Sequence, residues 1–92
     1  GRSFVRNSSA NMSMVAKTMV DKAIGENEIM VFSKSYCPFC QRTKDALEDF
    51  GTFGVLELDT IDEGNDIQRE LLGMTGQRTV PNVFVKGKHI GG

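Results

Sequence analysis

The chain has 92 residues, 25% of them charged and 39% hydrophobic, with a formal net charge of −1. This is the length of one domain with an ordinary globular composition, and a chain this short buries only about 60–65% of the surface its unfolded form exposes. The charge balance argues against the basic patch that a nucleic-acid partner calls for, and no apolar run approaches the roughly 20 residues needed to cross a bilayer.

The opening GRSFVRNSSANMS has no continuous apolar stretch, so it does not read as a signal peptide. Arg2, Arg6, several serines and the lack of any acid before Asp21 fit either an organellar transit remnant or a tag scar with a disordered tail. Residues 1–12 are set apart as a flexible tail without a function, and residues 13–92 as the domain. From Ser13, a plausible N-cap, Val15, Met19, Val20, Ala23 and Ile24 recur at helical spacing, and Gly25 is a plausible stop. EIMVFS, Glu28 to Ser33, is short and apolar and reads as a buried strand.

That strand runs into Cys37-Pro38-Phe39-Cys40, which holds both cysteines of the chain. A helical pattern starts at Pro38, where proline's missing N–H is no loss, and continues through Phe39, Arg42, Thr43, Ala46, Leu47 and Phe50 to Gly51. GVLELD, Gly54 to Asp59, is a second strand. DEGNDIQRELLGMTG is a third helix, with Ile67, Leu71, Leu72 and Met74 inward and Gly73 or Gly76 near its end. NVFVKGKHI, from Asn82, is a hairpin turning near Gly87, with His89 as a hairpin side chain. The order α-β-α-β-α-β-β predicts an α/β fold. It contains a right-handed parallel crossover and a closing antiparallel hairpin, in a four-stranded mixed sheet with helices on both faces.

Two cysteines do not make a disulfide framework. A crosslink between i and i+3 closes so small a loop that its stabilisation lies at the low end of ~0–5 kcal/mol. A zinc site needs about four ligands, and two thiols with His89 do not supply them, so no metal is expected. Redox chemistry has a mechanism. Cys37 precedes the helix and takes the N-cap, where the N–H groups of Phe39 and Cys40 and the helix dipole favour its thiolate. Lys34 is expected to add a full positive charge. An ordinary thiol is only about 3% ionised at pH 7. A helix terminus supplies at most ~2 kcal/mol, enough to bring the pKa to about 7. Cys40, one turn in, is less favoured. Cys37 is therefore the expected nucleophile and Cys40 the resolving thiol.

Thr79-Val80-Pro81 stands just before a strand, a position proline tolerates. A cis Val80–Pro81 bond would turn the Val80 backbone outward to receive an extended peptide as an added strand; a trans bond, the commoner form, would not. Taken together, S-K-S-Y-C-P-F-C, T-G-Q-R-T-V-P and the final G-G resemble a dithiol glutaredoxin over residues 14 to 92. The resemblance implies a thioredoxin-like fold, a cis Pro81, and glutathione-dependent reduction of protein disulfides and glutathione mixed disulfides. Glutathione would be a co-substrate, disulfide-containing or glutathionylated proteins the partners, and the chain a monomer in a cytoplasmic or organellar setting.

Carried over to this sequence, Lys34 and Gln68 would hold the glycine carboxylate of glutathione. The Val80 backbone would pair with the glutathione cysteine, Thr79 and Pro81 would shape that edge, and Tyr36 would flank the sulfur. Arg78 would be an electrostatic helper. In the family the G-G is followed by a polar stretch with an aspartate and a last helix, whereas this chain stops at Gly92. The expectation is a C-terminally truncated domain with weakened glutathione affinity and one sheet face uncovered. The rival is a glutathione-assisted homodimer holding a [2Fe–2S] cluster through thiolates. Pro38, which stiffens the turn, tells against it, and absorbance after anaerobic reconstitution separates the two. A thioredoxin would be expected to carry Trp-Cys-Gly-Pro-Cys, and the chain has no tryptophan.

Overall fold

The computed structural model describes residues 9–92, with side chains from residue 14 onward. Residues 1–8 of the expected tail lie outside the described residues. The first helix, α1, spans Ser9–Glu26, so it begins ahead of the expected Ser13 cap and takes in residues 9–12. It also runs past Gly25, because the Asn27 side-chain amide closes its end by donating to the Ala23 carbonyl at 2.8 Å. Its buried stripe is Ala16 and Val20, whereas Val15, expected inward, is exposed.

The other elements follow the expected order: β1 (Ile29–Ser33), α2 (Pro38–Leu47), β2 (Gly54–Glu57), α3 (Gly64–Thr75), β3 (Asn82–Val85) and β4 (Lys88–Gly91). Single 3-10 turns, Glu48–Phe50 and Leu58–Thr60, follow α2 and β2. Gly76 ends α3 in the left-handed conformation at φ 78°, with its N–H bonded to the Leu72 carbonyl. Only glycine adopts that cap without a Cβ penalty. Lys86 (φ 51°) and Gly87 (φ 80°) make the two-residue turn between β3 and β4. Both angles are positive, as a turn matching the twist of the strands requires.

The sheet order is β2-β1-β3-β4, with β1 and β2 parallel and the other pairs antiparallel. Alternation along β1 assigns its two faces. Met30 and Phe32 join Ala16, Val20, Leu58, Ile67, Leu71 and Phe84 in one core beneath α1 and α3. There the Phe32 and Phe84 rings meet edge to face at 5.9 Å, a preferred aromatic geometry. Met74, expected inward on α3, is exposed, and Leu72 is half-buried. Val31 and Ser33 point to the other face, over which α2 lies: Lys44 of α2 reaches Glu57 of β2 at 2.8 Å. On α2 itself only Cys40 is buried; Phe39 and Ala46 face outward, as does Phe50 in the turn beyond. Helices thus flank both faces. Among the described residues no helix is long and apolar enough to cross a membrane.

Candidate active site

The antiparallel pairing of β1 and β3 sets Phe32 opposite Asn82. The residues leaving β1, Lys34 to Cys37, and those leading into β3, Thr79 to Pro81, therefore meet at one end of the sheet. The parallel pairing of Ser33 with Glu57 brings the end of β2, and Asp59 just beyond it, to the same end.

Cys37 caps α2 from an extended conformation (φ −90°, ψ 117°), and Pro38 follows at the first helical position. Its sulfur accepts the Cys40 N–H at 3.3 Å, and its own N–H donates to the Lys34 carbonyl at 3.1 Å. The half-exposed Cys37 thiol is held below its ordinary pKa. The largest cause is the hydrogen bond from the Cys40 thiol, followed by the N–H groups of Cys40 and Phe39 and then the charge of Lys44, with partial desolvation opposing. Cys40 is fully buried, and burial is the first reason its pKa is raised; its hydrogen bond to Cys37 adds to the rise. The inequality of the two thiols expected from the sequence is therefore present. The source of the charge is not the expected one. Lys44, two turns into α2, acts on Cys37, whereas Lys34 acts on Asp59.

Asp59 was not singled out by the sequence. Its carboxylate accepts the Ser35 N–H at 2.9 Å and also the Ser35 hydroxyl, which pins the loop ahead of Cys37. Both bonds favour the ionised form, with the Ser35 hydroxyl the larger, and they hold the Asp59 carboxyl below its ordinary range.

Val80–Pro81 is cis. Pro81 is buried, Val80 is half-buried against the α1–α3 core, and Thr79 is exposed. Among the described residues neither backbone polar group of Val80 is hydrogen-bonded. Gln68 of α3 donates its side-chain amide to the Arg78 carbonyl at 2.8 Å, tying α3 to the loop that leads into Thr79. Tyr36 and Phe39, on either side of Cys37 in sequence, are both largely exposed, and the Arg42 guanidinium lies 5.6 Å from the Phe39 ring centroid. The topology thus gathers Lys34, Tyr36, Cys37, Thr79, Val80 and Pro81 at one end of the sheet, and the hydrogen bond from Gln68 to Arg78 tethers α3 to that end. Gln77 is a second residue the sequence did not flag. Its side chain bonds the carbonyls of Thr79 and Pro81, each at 2.9 Å.

A family model described as Glutaredoxin matches residues 29–90. A glutaredoxin of Ricinus communis is 49% identical over 79 residues, covering 85% of this chain and 78% of the relative. Glutaredoxin-C1 of Arabidopsis thaliana is 51% identical over 80 residues, covering 83% of this chain and 64% of the relative. Among solved structures, the buckwheat glutaredoxin–glutathione complex superposes with a TM-score of 0.87 at 42% identity, covering 92% of this chain and 78% of that one.

Proposed function

This chain belongs to the glutaredoxin family of thiol–disulfide oxidoreductases, and from that premise we propose that it uses glutathione to reduce glutathione mixed disulfides and protein disulfides, working as a monomer. The observation that carries the reading is the unlike pair of thiols: a half-exposed, acidified Cys37 sulfur capping α2 beside a buried Cys40 held protonated.

The cycle follows from that inequality. The Cys37 thiolate attacks the glutathione sulfur of a glutathionylated target. The new S–S bond forms as the old one breaks, and the target cysteine leaves as a thiolate and takes up a proton. A free glutathione thiolate then attacks the same glutathione sulfur of the mixed disulfide, releasing glutathione disulfide and restoring the Cys37 thiolate. With a protein disulfide, Cys37 first forms a mixed disulfide with the protein. Part of what raises the Cys40 pKa is its hydrogen bond to Cys37 and the charge there, and both vanish once the Cys37 sulfur is bonded. Cys40 then ionises more readily, attacks the Cys37 sulfur and expels the second protein thiolate. Two glutathiones reduce the resulting Cys37–Cys40 disulfide. Cys40 is thus restrained until the first step is complete.

The groove for glutathione is the end of the sheet described above. The open backbone of Val80 offers one N–H and one C=O to the cysteine of an extended tripeptide, as in strand addition. Lys34 supplies a cation and Gln68 an amide for the glycine carboxylate, with Tyr36 flanking the sulfur. The test is deglutathionylation by Cys37→Ser and Cys40→Ser variants. Activity should vanish in the first and persist in the second, while reduction of protein disulfides should need both thiols. Full activity of Cys37→Ser would overturn the assignment.

A further inference from the structure

Cradling the Val80 edge requires that the chain on both sides of it be held in place, and the structure shows one side chain doing so. Across the cis Val80–Pro81 bond the carbonyls of Thr79 and Pro81 turn toward one and the same side chain. Gln77 Nε2 lies 2.9 Å from the carbonyl of Thr79 and 2.9 Å from that of Pro81. A primary amide carries two N–H donors, one for each carbonyl. Both protons are spent there, so Oε1 is left as an acceptor, and its partner is His89 Nε2 at 3.0 Å on β4. His89 Nε2 must therefore bear a hydrogen, and its ring is braced against Phe84 at 5.4 Å between centroids. The Gln77 backbone N–H is itself fixed by the Thr75 hydroxyl at the end of α3. Reversing the amide would set its oxygen against two carbonyl oxygens, so the network admits one orientation.

We infer that Gln77 is a positioning residue for glutathione binding, acting as an inner partner strand of one side chain. It ties down the carbonyls on either side of Val80 and leaves the Val80 N–H and C=O facing the incoming tripeptide, with His89 holding Gln77 from β4. This rests on the reading above that Val80 pairs with glutathione. Gln77 does not touch the reacting sulfurs, so its loss changes binding rather than the chemistry at Cys37.

The experiment compares the wild-type chain with Gln77→Glu, Gln77→Met and His89→Phe. Gln77→Glu keeps the shape but offers no donor to the two carbonyls; Gln77→Met keeps the length and offers none either. The KM for a glutathionylated peptide should rise about five- to fiftyfold in both, the scale of one or two lost hydrogen bonds. Their kcat and the pH profile of Cys37 alkylation should stay at wild-type values. His89 is exposed, so His89→Phe tests the same network where a Gln77 variant does not fold, and should raise KM about two- to fivefold. KM within twofold of wild type in the folded variants overturns the inference, as does a joint fall in kcat and melting temperature, which marks general damage. The chemical shift of the Val80 amide on adding glutathione disulfide separates the two layers. If it does not move in the wild type, the Val80 reading fails and takes this inference with it. If it moves equally, at the same concentration, in the wild type and the Gln77 variants, only the inference fails.

Discussion

The two faces of the sheet are built from different materials. Under α1 and α3 lies a core cluster made wholly of apolar side chains, from Ala16 to Phe84. Under α2 the buried groups are Val31 and Val83 together with Ser33, the Cys40 thiol and the half-buried Lys44–Glu57 pair. The first face carries one buried polar side chain, Asn82, which its register opposite Phe32 sets on that side and which has no hydrogen-bond partner among the described residues. The other admits polar and titratable groups at a desolvation cost that each must offset with a partner. The chemistry sits on the second face: a thiol is tuned by charges and donors, and the cluster from Ala16 to Phe84 offers it no charge. The first face can then hold the fold together without constraining the sulfur.

If that division is right, damage to the first face should be large in stability and small in chemistry. Phe32→Ala empties a fully buried site that meets Phe84 edge to face. It should cost about 3–5 kcal/mol, a large part of the roughly 5–15 kcal/mol that holds a domain together. Denaturant unfolding measures the loss. The alkylation rate of Cys37, corrected for the folded fraction, should stay within about twofold of wild type, and a larger change would break the division. Gly64→Ala comes next. A Cβ at the first residue of α3 would sit 1.8 Å from the Leu58 carbonyl oxygen, so α3 or the turn beside it must shift. The expected loss is about 1–3 kcal/mol, again with little effect on Cys37.

The same division explains what could be read from the sequence. The strands, the Cys37 cap and the turn at Gly87 are local. Each depends on residues within a few positions of one another, and each appears close to where the pattern places it, although β2, expected to reach Asp59, stops at Glu57 where a 3-10 turn takes over. The failures depend on partners far away in the chain. Val15 and Met74 fit a helical stripe, but the packing of α1 and α3 settles which side of each helix is covered, and both residues face out. Gly25 looked like a stop, yet α1 runs one residue further and is closed by the Asn27 side chain. On the active face the cation for Cys37 is Lys44, whose side chain is anchored on Glu57 thirteen residues on; proximity in sequence suggested Lys34. Asp59 and Gln77 are ordinary polar residues in sequence. Only the crossover and the sheet pairing bring Asp59 to Ser35, twenty-four residues away, and Gln77 to His89.

The Lys44–Glu57 pair tests the second face. Lys44→Met removes the longest-range of the influences that acidify Cys37, so the alkylation profile should move to higher pH. Glu57→Gln leaves the Lys44 charge uncompensated and should move it lower. The side chains are 16% and 27% exposed, and Glu57 Oε1 has no hydrogen-bond partner. Breaking the pair should therefore cost about 1–3 kcal/mol, between the exposed and the fully buried cases. Replacing both by Met and Leu should recover part of that loss, because no charge is then left unpaired. Profiles that move together in the two single variants would show that the pair acts on Cys37 through packing and not through charge.

The smallest effect belongs to Asp59, which holds the same loop from the outside. Its folded pKa lies below the ordinary value because the ionised carboxylate accepts both Ser35 bonds. A depressed carboxyl contributes stability that is fully present above its unfolded value, near pH 3.9. That contribution is lost as pH falls through the folded value. Asp59→Asn removes the charge while keeping one acceptor for the Ser35 N–H. The gap in urea midpoint between wild type and variant should therefore be present at neutral pH and close as the solution is acidified below about pH 4. Cys37 alkylation at neutral pH should change only slightly, since Asp59 fixes the backbone ahead of the sulfur and does not touch it. A gap that stays constant down to acid would mean that the Ser35 clamp draws nothing from the charge. The loop would then be held by shape alone, as the apolar cluster is, and the contrast between the two faces would stop at α2.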